Sequence, residues 1–466
     1  MISTGKTWVF LLLIAALLLL ASFFIPENGI KISENYSIQF LSWNHLVGEK
    51  EQEPESLDIM FALADSLDIV EEEDEVEEPT PVPGEIFQPI QWAINNDERL
   101  SPFFNQLDSS TQPMHVFHFG DSQIENDRLT SYIRNKLQQK YGGNGPGWIP
   151  LISFSKPGGV SVEVDGPWQQ FTLFGSEAKP DWVNFGALCS TAAIGNSDSL
   201  GIDTILNASV EISSSTCLYN RAKQFNVIEL QLEAPAAGGE FILFADSNRW
   251  VQSLDSGAHV YKFLCENLTS ELELKFTALP GTMVHGVCLT SNEGVFVHNV
   301  PMRGSSGTIF KRTKSGLLHQ IDEKQNIGLI IMQYGGNTLP YLEDTAECES
   351  YARWLGGQIT YLKSHFEAAE MILAGPSDMS IKQGEHYITY PLLPVLRDNL
   401  LGMVLEKNIG YFDMLEAMGG EGSMEYWVSA DPPLAMPDYT HFSPRGARLM
   451  GELMYESIMD VKSEKE

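Results

Sequence analysis

The sequence predicts an α/β domain built on a five-stranded parallel sheet and interrupted by an inserted all-β module. Three observations carry this. Five apolar runs, His115–Phe119, Val295–Met302, Ile327–Tyr334, Glu370–Ala374 and Ile409–Asp413, are continuous rather than alternating, as in strands buried on both faces. Amphipathic stretches at 123–140, 346–367, 391–407 and 443–459 separate several of them, the alternation of a parallel sheet covered by helices on both sides. Between about 155 and 294 helical periodicity vanishes. Short runs such as NVIELQLEA, GEFILFA and ELELKFTAL take over, divided by Gly, Asn, Asp and Ser turns at the spacing of a β-sandwich.

The remaining organisation lies N-terminal to this domain. Residues 8–26 hold no charge and approach the length that crosses a bilayer, with Lys6 before them. Segment 1–28 is therefore expected to be an uncleaved signal anchor or transmembrane helix, with the rest of the chain exported and the periplasm its expected compartment. Segment 29–84 reads as a short strand followed by an acidic spacer. Residues 49–78 carry fourteen acids and one lysine, about two fifths of the net charge of −33, so this stretch should be extended and self-repelling. The domain then runs over 85–154 and 295–466, with the insert at 155–294.

At 43% hydrophobic residues, the 466-residue chain supports a packed core of two or three domains. A balance of 29 basic against 62 acidic residues disfavours nucleic acid and anionic lipid surfaces as partners. Five cysteines are too few for a disulfide framework, and none forms a CxxC pair. Four of them, Cys189, Cys217, Cys265 and Cys288, fall in the insert, where disulfides and buried free thiols are equally compatible with the pattern. HExxH and GxSxG are absent, and no metal or cofactor is expected.

In open α/β sheets, chemistry gathers beyond the carboxyl ends of the strands. The residues there are Gly120-Asp121-Ser122 after the first run, Arg303-Gly304-Ser305 after the second and Gly335-Gly336-Asn337 after the third. Gly375-Pro376-Ser377-Asp378 follows the fourth, and Asp438-Tyr439-Thr440-His441 follows the fifth at more distance. This set suits acyl transfer. Ser122 would be the nucleophile, His441 the base that activates it and Asp438 the group that orients the imidazole. The amides of Ser122 and Gly304 and the side chain of Asn337 would donate to the developing oxyanion. Each piece alone has a plainer reading: Gly120-Asp121-Ser122 as a capped strand-to-helix turn, Asn337 as a turn residue, Asp438 and His441 as caps of the last helix. Gly307 rivals Gly304. Gly142–Gly147 reads as a loop at the site mouth, and Arg303 as one half of a salt bridge.

Taken in order, these blocks resemble the SGNH (GDSL-type) hydrolase superfamily over about 85–154 and 295–460. The resemblance implies a three-layer, flavodoxin-like fold. The usual G-x-N-D block stands here as Gly335-Gly336-Asn337-Thr338, without its Asp. Interruption by a β-rich module is similar to exported esterases acting on O-acetylated peptidoglycan or polysaccharide. That implies an O-acylated glycan substrate and a carbohydrate-binding insert. A carbohydrate O-acyltransferase fed by a membrane acyl donor, or a non-catalytic carbohydrate-binding envelope protein, are the alternatives.

Overall fold

The apolar runs of the sequence become the strands of one parallel sheet. The structure, a computed structural model, describes residues 30–33, 36–38, 87–93, 100–109, 112–153, 155–175, 178–196, 204–216 and 219–463. The chain divides into two units, 1–63 and 64–466. In the first, β1 (Ile30–Ser33) pairs antiparallel with β2 (Tyr36–Ile38). The apolar run 8–26 and the acidic spacer lie outside the described residues. No helix among the described residues is long and apolar enough to cross a membrane.

The second unit opens with α1 (Ser101–Ser109), β3 (Met114–Gly120), a 3₁₀ turn at Ser122–Asp127, α2 (Thr130–Tyr141) and β4 (Gly147–Ile149). Ten strands follow: β5 (Val160–Asp165), β6 (Trp168–Thr172), β7 (Ser190–Ile194), β8 (Leu206–Ser214), β9 (Phe225–Ala234), β10 (Gly239–Ala245), β11 (Asn248–Ser253), β12 (Gly257–Thr269), β13 (Leu272–Ala278) and β14 (Thr282–Thr290). The chain then returns through β15 (Val295–Pro301), α3 (Ser315–Lys324), β16 (Asn326–Gln333), α4 (Thr345–Lys363) and β17 (Glu370–Ala374). A hairpin, β18 (Ser380–Gln383) and β19 (His386–Thr389), precedes α5 (Leu393–Glu406), β20 (Gly410–Phe412), α6 (Met414–Ala417), α7 (Ser423–Ser429) and α8 (Pro444–Ser463).

The central sheet has the order β15-β3-β16-β17-β20, with every pair parallel. Successive residues of a strand face opposite sides, so a run buried throughout needs a cover on each face. Val116, Leu329, Ile331 and Ile372 meet Phe103 of α1, Ile133 of α2 and Met450 of α8. Phe117, Ile330, Met332 and Leu373 meet Leu355 of α4 and Leu396 of α5 on the other side. Each such side chain contributes about 1.5–3 kcal/mol on burial. The interior is apolar on both faces because the sheet is a middle layer.

The strands of the insert form two antiparallel sheets, β11-β10-β13-β8-β5 and β12-β9-β14-β7-β6. Val210, Ile212, Phe241 and Leu243 of the first share one apolar cluster with Ile194, Ile228, Leu230 and Val287 of the second. Several details depart from the sequence reading. β4 belongs to the second of these sheets, paired with β14, although it precedes residue 155. The glycine loop before it is not at the site mouth. Gly142 O accepts Val295 N at 3.1 Å, at the amino end of β15 and hence the end of the sheet away from the site. The helix expected from 123 is broken, because Asn126 (φ 53°) and Asp127 (φ 60°) turn left-handed before α2 begins. Cys189, Cys265, Cys288 and Cys348 are buried free thiols, and Cys217 lies outside the described residues.

His115 and His118 are core residues. The backbone N–H of Trp148 donates to His298 Nδ1 at 3.0 Å, which leaves His298 Nε2–H to donate to His115 Nδ1 at 2.9 Å. Burial, and secondarily Lys262, holds the His115 pKa at about 3. Burial also lowers His118 to about 4 against the opposing hydrogen bond of Gln333. Both values lie below the unfolded value of about 6.5. The stability these neutral rings contribute is therefore full above about 6.5 and is lost as pH falls towards the folded values. Urea unfolding should show a loss of about 2 kcal/mol per ring between pH 7 and pH 5. Burial lowers His298 and His285 in the same way, so His118→Gln should remove only one ring's share of that drop, about 2 kcal/mol; an unchanged slope in the variant would contradict the assignment.

Candidate active site

The loops after β3, β16 and β17 and the segment before α8 line the site at the carboxyl end of the sheet. β3 ends at Gly120, and the next two residues leave the sheet as a turn whose cap is local: Asp121 Oδ1 accepts the backbone N–H of Gln123 at 3.0 Å. That turn projects Ser122, 2% exposed, into an open cleft of about 340 Å³. His441 (4% exposed) and Asn337 line the same cleft, with Gly336, Ser377, Met379 and Thr440.

Ser122 Oγ lies 2.8 Å from His441 Nε2, and His441 Nδ1 lies 2.7 Å from Asp438 Oδ2. A carboxylate only accepts, so Nδ1 carries the proton and Nε2 is left to accept from the Ser122 hydroxyl. The second oxygen of Asp438 accepts the backbone N–H groups of Thr440 and His441, both at 3.0 Å. Burial pushes the Asp438 carboxyl up. The His441 ring and these two N–H groups outweigh it and hold the group below its ordinary value. The base is thus fixed in one tautomer beside a permanent anion.

The loop carrying these residues is itself held. Tyr439 sits left-handed at φ 56°, unusual for an aromatic residue. Its ring stacks on Tyr387 of β19 at 3.5 Å between centroids and 6° between planes, and its carbonyl accepts Ser380 N at 3.0 Å. After β16, Gly335 adopts φ 131°, and a Cβ there would meet Pro376 Cδ at 2.9 Å, so glycine is required for the turn that presents Asn337. Asn337 Nδ2 donates to Ser305 O at 3.2 Å, which ties it to the loop after β15. Gly304 precedes that serine at φ 70° and is not among the residues lining the cleft. Gly307, its rival, packs against the Tyr334 ring.

Two residues that sequence reasoning passed over bind the distant blocks together. Gln123 Nε2 donates to Thr440 O at 2.7 Å, and Gln123 Oε1 accepts Phe442 N at 3.1 Å. Arg128 donates to the carbonyls of Glu125 at 3.0 Å and of Ser122 and Phe442 at 3.3 Å. The only signal for Gln123 was its place directly after Ser122. Arg303 closes on Glu125 through Nε–Oε1 at 2.8 Å and Nη2–Oε2 at 2.7 Å, the salt bridge expected of it. Asp378 is structural, accepting Thr389 Oγ1 and Met424 N at 2.8 Å each.

No protein-family model matches the chain, and no curated protein matches it in sequence. Solved structures do match in fold. A peptidoglycan O-acetylesterase superposes at TM-score 0.59 with 19% identity, covering 78% of this chain and 96% of its own. A family two carbohydrate esterase from Clostridium thermocellum, in complex with cellohexaose, matches at TM-score 0.26 and 10% identity over 58% and 95% of the chains. A salicylyl-acyltransferase from a tetracycline biosynthetic pathway matches at 0.27 and 12% over 65% and 98%. The last two superpose too partially to argue from. The first shows that this chain shares the fold of that structure.

Proposed function

We propose that this protein is a serine esterase that removes acetyl groups from carbohydrate hydroxyls through an acyl-Ser122 intermediate. The observation that carries the reading is the continuous relay from Ser122 Oγ through His441 to Asp438, at 2.8 and 2.7 Å. As Ser122 Oγ attacks the ester carbonyl, His441 Nε2 takes its proton, and Asp438 stabilises the imidazolium. The oxyanion would be met by the amide of Ser122 and the side chain of Asn337, which line the cleft; Gly304 lies outside that lining. Collapse expels the sugar alkoxide, which receives the proton from His441. Water, activated by the same imidazole, then releases acetate and restores Ser122. The apolar run at 8–26 would anchor the enzyme in the inner membrane after export, and the acidic spacer would hold it off the surface. The two-sheet insert would serve as a glycan-binding sandwich.

The test is incubation with an O-acetylated glycan, beside fluorophosphonate labelling. Acetate release by a protein labelled at Ser122 supports the reading. Transfer of acetyl to an added sugar in preference to water would make it an acyltransferase. Neither release nor labelling would leave a non-catalytic glycan-binding protein. Within this reading, Asn337→Ala should lower kcat by roughly 10²–10³-fold with little change in KM. A kcat within twofold of wild type would remove Asn337 from the oxyanion site.

A further inference from the structure

A second cleft, open and of about 410 Å³, lies on the other side of the nucleophile turn. Neither the sheet nor the insert forms it alone. Gln170 and Thr172 of β6 and Ser190 of β7 supply the insert wall, and Asn299 of β15 and Glu125 supply the facing one. Glu125 is three residues beyond Ser122, and Arg303, beside it, directly precedes Gly304.

The chemistry of the lining is neutral. Its two charged side chains, Arg303 and Glu125, neutralise each other through a two-point fork. Asn299 is anchored at both ends of its amide: Oδ1 accepts Thr130 Oγ1 at 2.8 Å, and Nδ2 donates to Ile124 O at 3.0 Å. The Gln170 amide donates to Ile152 O at 2.9 Å and keeps its oxygen for another donor. Ser190, 7% exposed, makes no side-chain hydrogen bond among the described residues. Phe174 and Leu188 add apolar surface. A neutral acceptor and a hydroxyl beside apolar patches match the hydroxyl edge and C–H face of a pyranose ring.

We propose that this cleft binds an uncharged pyranose unit of the glycan chain flanking the acetylated sugar, so that the insert and the nucleophile turn hold one substrate jointly. This rests on the glycan-esterase reading above. The experiment titrates the full chain in detergent with chitotetraose, by calorimetry, and compares the Gln170→Ala/Ser190→Ala double variant. Binding by wild type, weakened about tenfold or more in the variant, is the expected result. No binding by wild type, or equal binding by both, overturns the proposal. The kinetic arm separates the two claims. The variant should raise KM for an acetylated chito-oligosaccharide while leaving kcat/KM for p-nitrophenyl acetate unchanged. A parallel loss on the small ester would show a merely structural effect and overturn the subsite. A wild type that binds chitotetraose but hydrolyses neither ester would overturn the esterase reading and leave the cleft standing.

Discussion

Ser122→Ala should lower kcat/KM for p-nitrophenyl acetate by about 10³-fold or more, and Asp438→Asn should lower kcat by a comparable factor without unfolding the loop. The two losses have different origins. Alanine removes the attacking oxygen. Asparagine keeps one carbonyl oxygen for the N–H groups of Thr440 and His441, which Asp438 now binds at 3.0 Å. Its amide N–H₂ then faces His441 Nδ1, and two donors cannot pair. The ring answers by moving its proton to Nε2, where it faces Ser122 Oγ at 2.8 Å and cannot act as a base. The expected signature is a fall in kcat with KM nearly constant, measured beside an unchanged unfolding midpoint. Asp438→Asn retaining activity within tenfold would mean that some other group orients His441.

Arg134→Met should destabilise the protein by about 3–5 kcal/mol, the range for breaking a buried ion pair from one side. Arg134 and Asp127 are each 2% exposed at the side chain. Two guanidinium nitrogens contact the carboxylate, Nη2 to Oδ1 at 3.0 Å and Nη1 to Oδ2, while Nε donates to Val297 O at 2.7 Å. Burial raises the Asp127 carboxyl pKa, with Arg134 opposing, so removing the arginine strands a group already held at a cost. The insert leaves little room for relief. A Cβ on Gly158 would lie 1.9 Å from Asp127 Oδ2. Neighbouring Asn126 is held from the same segment, its N–H on Ser155 Oγ at 2.7 Å and its Oδ1 on Lys156 N at 3.0 Å. The second change Asp127→Asn should recover part of the loss, because asparagine tolerates φ 60° and carries no charge. Urea midpoints of the single and double variants decide it. A double variant no more stable than Arg134→Met would show that the loss lies in packing.

The sheet was legible in the sequence because its strands are buried on both faces. Glu370–Ala374 appears with the bounds the apolar run indicates, and the ends of the other four shift by one residue at most. Ser122, Asp438 and His441 were legible because their chemistry requires fixed residue types after particular strands. The pairings that hold them were not. Gln123 meets Thr440 across 317 residues, and His115 meets His298 across 183, and nothing in local composition marks such partners. The left-handed step at Asn126–Asp127 also escaped, since helical periodicity runs through it and only the contacts from Ser155, Lys156 and Gly158 select the turn.

The sheet order has a consequence for how the chain reaches this state. Val295 pairs with Met114, 181 residues earlier, and Asn326 pairs with the same residue from still farther away. Closing such loops costs entropy before any contact offsets it, and pairings of this kind slow folding. Within the insert hairpins such as the one where Ala245 meets Asn248 close over short distances, and even its longer pairings, such as Thr282 with Ile194, span less chain than Val295 with Met114. Its root is pinned by β4 against β14 and by Val295 N on Gly142 O. Once folded, the insert shortens the effective loop between β3 and β15 from the 174 residues 121–294 to the 22 residues 121–142. It therefore acts as the scaffold on which the edge of the central sheet is assembled, and chains shortened within 155–294 should refold more slowly even where the final sheet is unchanged.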